Sequence, residues 1–363
     1  FQILLFVPFI VCIAAALIFR STIVWQEALA MFVITCLTVS MIYLGGKHSQ
    51  ISDSKIQVGE IFSKERVNDS HQESYSCNCH TTCSGYGKRR SCSRHCSTCW
   101  RTRYTVDWYA MTSFGRHTVD SDDSLYSSVW RNPDPARYNE IKNGDPFNRT
   151  LGFSNYVKAV PDSILHINPM NSIHQSSIPA YPQVYDQYKT EHVLTVGQVP
   201  INVAEWNLAI QDILKKISPK NCMNIIVIFT DIQDKGFQYS VENAWRTGKI
   251  NDTLIFIGVE GDKITWSGVS GWMHNESNED YIVSLKNELF DVKTIDISQI
   301  TSIITKHVTN FKQPNEETFE YLKSAIEPPF WVLVLSCIFE LVALCGLGYF
   351  FHKNDFTSND NNY

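Results

Sequence analysis

Met223-Asn224-Ile225-Ile226-Val227-Ile228-Phe229-Thr230-Asp231 is a continuous apolar run that stops on a turn signal. A run that is apolar on both alternating faces fits a strand buried in a parallel sheet. Before it, Trp206, Ile210, Ile213, Leu214 and Ile217 recur at helical spacing, and Pro219-Lys220-Asn221 ends that helix. After it, Phe237 to Trp245 reads as a helix stopped by Thr247-Gly248. Thr253 to Val259 is a second buried strand, Gly261-Asp262 a tight turn, and Ile264 to Val269 its hairpin partner. Helices over Ile282 to Leu289 and Ile300 to Phe311 flank a short strand at Thr294 to Ile297. Strands alternating with helices predict an α/β domain over 201–315.

Upstream, 46–200 reads as a cysteine-rich β module with long loops. Its centre is Cys77-Asn78-Cys79-His80-Thr81-Thr82-Cys83, a turn-rich loop from Ser84 to Gly87, then Cys92-Ser93-Arg94-His95-Cys96-Ser97-Thr98-Cys99. The spacing suggests two knuckles face to face, and two chemistries fit. Zinc would take Cys79, Cys83, Cys96 and Cys99 as a tetrahedral set, with His80 or His95 able to replace a thiolate. Three disulfides among Cys77, Cys79, Cys83, Cys92, Cys96 and Cys99 fit as well, with fifteen pairings open. Thiolate zinc suits a reducing compartment and disulfides an oxidising one. Either way the cluster reads as a structural staple. Ile56 to Val67 leads in as a strand, and Arg103 to Ser113 turns at Phe114-Gly115 into Arg116 to Val119 as a hairpin. Val129 to Val199 lacks periodicity and reads as long loops, with His166, His174 and His192 too scattered to argue for a metal.

Three apolar segments frame the polar middle: Ile3 to Phe19, Ile23 to Leu44 and Phe330 to Phe351. Each is about long enough to cross a bilayer as a helix. The layout predicts a helical hairpin over 1–45, a linker and third helix over 316–351, and a polar tail over 352–363. The fold expected is therefore an α+β membrane protein with three transmembrane helices, a cysteine-stapled β module and an α/β domain. Glu340 lies inside the third segment, where a carboxylate is costly unless protonated, paired or facing another helix. Its expected partner is Thr35, Thr38 or Ser40 of the second segment, with a proton or ion relay as the functional alternative. Trp25 and Trp331 fit interfacial anchors.

The strand ends carry Asp231, Asp234, Asp252 and Asp262, where an α/β sheet would place a site. Asp231 and Asp252 form the candidate acidic pair, although turn roles explain all four. The net charge of -6 in 363 residues, 31 basic against 37 acidic, leaves no electrostatic footprint for nucleic acid. The one dense basic run, Lys88-Arg89-Arg90, reads as a solvated loop.

The strand from Asn224, then Glu242-Asn243-Ala244-Trp245-Arg246-Thr247-Gly248-Lys249 and Asn251-Asp252-Thr253-Leu254-Ile255-Phe256-Ile257-Gly258-Val259, resembles the TPM domain family. That family includes a thylakoid-lumen phosphatase, a photosystem assembly factor and a receptor modulator. The resemblance covers about a quarter of the chain. It departs from the family at Gly261-Asp262-Lys263, where an Asp-Arg pair is usual, and at Ser267 to Trp272, where a Gly-Tyr-Gly-Leu-Glu segment is usual. The full layout is also similar to a group of bacterial and phage membrane proteins of no assigned activity. These share Trp25-Gln26-Glu27, the run Tyr104 to Trp108 and Glu327-Pro328-Pro329.

The function expected is a membrane-anchored binding or assembly module, non-enzymatic, with an extracytoplasmic domain that meets a protein partner or further copies of itself. The alternative, implied by the resemblance, is a metal-assisted phosphatase or hydrolase.

Overall fold

The computed structural model describes residues 8–14, 17, 25–84, 91–131, 133–160, 174–245, 248–272 and 276–354. It divides into two compact units. One is drawn from Phe1–Ser54, Gly152–Asn168 and Asn315–Tyr363; the other from Lys55–Leu151 and Pro169–Pro314.

The first unit is built on helices α1 (Trp25–Ile51) and α6 (Phe330–Asn354). Both are long and apolar enough to cross a bilayer. Each is apolar all round, yet only one stripe is covered. On α6 that stripe is Val332, Ser336, Glu340 and Leu344, one residue per turn. On α1 it includes Ala28, Met31, Thr35, Val39 and Gly46. Gly46 allows the close approach: a Cβ there would stand 2.8 Å from Cγ1 of Val332. At the other end Met31 lies beside Gly348, so the two helices pack antiparallel. Their outer faces expose Leu, Ile and Phe side chains such as Leu37, Leu44, Ile338 and Leu341. Of the expected first span, residues 8–14 are helical, and most of the remainder lies outside the described residues. Among the described residues, two helices and not three meet the length and hydropathy of a span.

The second unit holds two four-stranded sheets. The first is ordered β3-β2-β1-β4, with β1 Ser52–Ser84, β2 Ser91–Thr112, β3 Gly115–Ser124 and β4 Pro146–Ser154. β1 and β2 pair antiparallel from Ile61↔Thr112 out to Ser84↔Ser91. β3 covers β2 only between Tyr104 and Thr112. Near this base Ile61, Val106, Trp108, Ala110, Val119 and Phe147 form a core. From His71↔Arg103 outward, β1 and β2 pair only with each other among the described residues. The result is a bare two-stranded ribbon about 40 Å long. The cysteine segments, expected as knuckles, are continuous strands of this ribbon.

The second sheet is ordered β5-β6-β7-β8, with β5 Val193–Val196, β6 Asn224–Thr230, β7 Asp252–Glu260 and β8 Lys263–Gly271. β5, β6 and β7 are parallel, and β8 returns antiparallel to β7. Alternation explains the layers. Ile225, Val227, Phe229, Ile255 and Ile257 face helices α2 (Val203–Asn221), α4 (Glu276–Asp291) and α5 (Ile297–Val308). Ile226, Ile228, Leu254 and Phe256 face α3 (Gly236–Ala244) through Phe237 and Val241. Asn202 caps α2 by accepting Glu205 N–H, and Asp296 caps α5 by accepting Ser298 and Gln299 N–H.

Two domain boundaries differ from the sequence reading. β5 belongs to the parallel sheet, so the α/β layer begins before residue 201. Ile56 and Val58 of β1 also enter the core of the α/β sheet, and Asn251 donates to Ile56 O at 2.7 Å. The β module and the α/β layer therefore share one unit. Thr294 makes an isolated bridge to Lys263 in place of the expected short strand.

Candidate functional site

The six clustered cysteines form three disulfides, Cys77–Cys99, Cys79–Cys96 and Cys83–Cys92. All three run across the antiparallel ladder, nested toward its tip, with a register shift between Cys77 and His80 where Asn78 takes φ 46. The zinc set expected from spacing would need Cys79, Cys83, Cys96 and Cys99 as thiolates. Here Cys79 is bonded to Cys96, while Cys83 and Cys99 are bonded to Cys92 and Cys77. Among the described residues no group of three or more His, Cys, Asp or Glu is placed to hold a metal.

A two-stranded hairpin is marginal in water by itself. Closing a loop of about 15 residues is worth roughly 3 kcal/mol, and the three loops here span 22, 17 and 9 residues. The staples thus supply what burial cannot. Below them, Trp100 is 66% exposed and Tyr75 40% exposed. Arg101 lies 4.9 Å from the centre of the Tyr75 ring and donates to Glu73 at 3.0 Å. Arg103 meets the same carboxylate at 3.2 Å. The cationic side chains draw the Glu73 carboxyl below its ordinary range, the Arg101 hydrogen bond being the main cause.

Asp231 and Asp252, the candidate acidic pair, are not brought together. Asp231 follows the last residue of β6, and Asp252 is the first residue of β7. Asn224↔Asp252 opens the parallel pairing and Thr230↔Gly258 closes it, so the two carboxylates lie at opposite ends, about 20 Å apart. Asp231 is a turn residue: its Oδ2 accepts Gln198 N–H at 2.7 Å beside Gly197, whose φ is +83. A Cβ at Gly197 would overlap that carboxylate. Asp234 caps the approach to α3, accepting Gly236 N–H at 2.8 Å, and meets His174 at 3.0 Å.

Asp252 is buried and heavily bonded. It accepts Asn224 Nδ2 at 2.8 Å, Lys249 N–H at 2.7 Å and the Tyr181 hydroxyl at 2.9 Å. Burial outweighs these donors and pushes its carboxyl up to about 6. Two strands over, just before β5, His192 is equally buried. Its Nδ1 lies 3.0 Å from Ile225 O, and its Nε2 lies 3.1 Å from Asn148 Oδ1. Burial pulls this imidazole down to about 4. Asn224 also acts on His192, raising its pKa against the larger pull of burial, while its own Oδ1 accepts no hydrogen bond among the described residues. His192 carried no metal-like or catalytic pattern in the sequence, and its contact with Asn148 spans 44 residues.

A separate open cleft of about 550 Å³ is lined by Asn221, Asp280, Ser284, His307, Asn310 and Lys312. Glu288 accepts from His307 Nε2 at 2.6 Å and from Lys306 at 2.7 Å. Ser284 shares the cleft without bonding to His307. The cleft can hold a small polar ligand, and it lacks a bonded nucleophile–base pair among the described residues.

Glu340 does not find its expected partners. Thr35 and Thr38 donate instead to Met31 O at 2.8 Å and Ile34 O at 2.7 Å of their own helix. Ser336 likewise donates to Val332 O at 2.8 Å. The Glu340 side chain is 1% exposed, and its Oε1 has no hydrogen-bond partner among the described residues.

No protein-family model, curated protein or solved structure matches this chain.

Proposed function

We propose that this chain is a membrane-anchored, non-enzymatic recognition module whose disulfide-stapled ribbon engages a protein partner, or a further copy of the chain, outside the reducing compartment. One observation carries the reading. The ribbon extends about 40 Å from its base, adds little to either core, and presents exposed Trp100 on one face and Tyr75 with half-buried Arg101 on the other. Exposed aromatic and arginine side chains on a rigid support are the residue types that dominate protein recognition. Three cross-strand disulfides fit an extracytoplasmic setting. Helices α1 and α6 supply the anchor. The body is read as TPM-like on its order of strand, helix, strand and hairpin, which is the order the resemblance implies.

The hydrolase alternative requires converging acids, and the separation of Asp231 from Asp252 argues against that pair as a metal site.

A photo-crosslinking residue at position 100, in the full chain in its native membrane, tests the reading. A discrete protein adduct is expected from position 100, or from a second crosslinking residue at position 75 on the opposite face, the latter adduct disappearing in an Arg101→Ala background. Adducts to lipid alone, or none, would remove the ribbon as the recognition element. Labelling of intact cells by an impermeant maleimide only after reduction would support the extracytoplasmic placement.

A further inference from the structure

We propose that His80 and His95 form a two-imidazole site for a late first-row divalent metal ion, Cu²⁺ or Zn²⁺, on one face of the ribbon. The two residues are direct register partners on adjacent antiparallel strands. Their ring centres lie 5.8 Å apart with planes inclined by 32°. Two imidazoles bound to one tetrahedral ion at ordinary metal–nitrogen distances place their ring centres roughly 5 Å apart. Rotation about the side-chain torsions closes the difference without moving the backbone.

The backbone is held for this. Cys79 and Cys96, the immediate neighbours of the two histidines, are bonded to each other, and Cys83–Cys92 locks the ladder three residues further out. Strand alternation turns Cys79, Cys83, Cys92, Cys96 and Arg94 to one face. His80, Thr82, Ser93 and His95 share the opposite face, which lacks Arg94; Cys99 follows on that face four residues beyond His95, and its sulfur is committed to the Cys77–Cys99 disulfide. Both histidines are exposed, so an ion reaches them directly.

Ser93 completes the arrangement. Its Oγ lies 3.0 Å from Nε2 of His95. With Nε2–H donating to Ser93, the His95 lone pair is left on Nδ1 for the ion, the outer-shell pattern common at metal-bound histidines. Imidazole nitrogen suits Cu²⁺ and Zn²⁺ among divalent ions, and Cu²⁺ binds the tighter of the two. Water fills the remaining coordination positions.

The test is metal titration of the full chain in detergent without reductant, with free thiols counted to confirm intact disulfides. One ion per chain is expected, with two nitrogen ligands in the Cu²⁺ paramagnetic resonance spectrum. His80→Ala and His95→Ala should each weaken binding about 30-fold or more, because a single remaining imidazole loses the advantage of two linked ligands. Ser93→Ala should weaken it about 10-fold, and His71→Ala, which lies elsewhere on the ribbon, should leave it unchanged. Binding that survives both His80→Ala and His95→Ala would overturn the proposal. Zinc held only after reduction would overturn it in favour of a thiolate set at Cys79, Cys83, Cys96 and Cys99.

Discussion

Asn224 donates its side-chain amide to Oδ1 of Asp252 at 2.8 Å, tying the first residue of β6 to the first residue of β7. Two buried titratable groups, His192 and Asp252, lie at this end of the sheet, and their pKa displacements oppose each other. Asp252 rises from 3.8 to about 6, so between those values the folded chain holds a proton that the unfolded chain releases. Stability from this group falls as pH rises through that range. His192 drops from 6.5 to about 4, so the unfolded chain takes up a proton that the folded chain refuses. Stability from this group is lost as pH falls from 6.5 toward 4. Each displacement alone is worth about 3 kcal/mol. The wild-type contribution of the pair is expected to be nearly flat between pH 4 and 6. Asp252→Asn should expose the histidine slope, with stability climbing by about 3 kcal/mol from pH 4 to 6.5. Denaturant unfolding of the full chain at a series of pH values checks this; an equally flat profile in Asp252→Asn would refute it.

Asp231 and Gly197 make a second linked pair. The positive φ of Gly197 and the carboxylate stacked against it leave no room for a Cβ. Gly197→Ala should destabilise the chain by about 3 kcal/mol through strain and displacement of Asp231. Asp231→Ala should cost about 0.5–1.5 kcal/mol by removing the bond to the Gln198 N–H, which is exposed and passes to water. In the Asp231→Ala background, Gly197→Ala should cost less than it does alone, because the overlap has been removed. Thermal unfolding of the four chains measures this coupling. Additive losses would show that the carboxylate does not shape the turn.

The α/β half was legible because its chemistry is local. Met223 to Phe229 is apolar on both faces and became β6; Trp206, Ile210 and Leu214 repeat with the helical period and became the buried stripe of α2. β5 escaped notice because four residues, Val193 to Val196, carry too little pattern to separate a strand from a loop. The cysteine segments escaped as strands because Ser, Asn, His and Cys have weak strand preference. Cross-linking rather than burial holds them extended. The opposite placement of Asp231 and Asp252 follows from topology. A residue that follows one strand and a residue that opens the next parallel strand must sit at opposite ends of the sheet. Contacts such as His192 with Asn148 join separate segments of chain and leave no local trace.

The ribbon and the body should respond separately to reduction. The ribbon gains almost nothing from burial beyond His71↔Arg103, whereas β6 and β7 are buried along nearly their whole length. Each staple lost removes roughly 2–4 kcal/mol from ribbon stability. Mild reduction should therefore speed hydrogen exchange at 71–84 and 91–103 by at least about a hundredfold while leaving 224–230 and 252–260 protected. Loss of protection in both regions together would mean that the ribbon is needed to fold the body.

Glu340 presents the reverse case, a polar group whose surroundings offer it little. It occupies the covered stripe of α6 between Ser336 and Leu344, and the nearby hydroxyls of Thr35 and Ser336 are committed to their own backbones. A buried acid left with an unbonded oxygen adds cost to helix packing, and an apolar side chain of similar size removes that cost. Glu340→Leu is expected to strengthen the α1–α6 pair by about 1–3 kcal/mol, and Glu340→Gln to change it by less than about 1 kcal/mol. Titration of the full chain from mild detergent into SDS, read by a fluorophore pair on the two helices, gives the midpoints. A weaker pair in Glu340→Leu would show that the carboxyl holds a bond the helices depend on, and would revive the case for a proton or ion at this position.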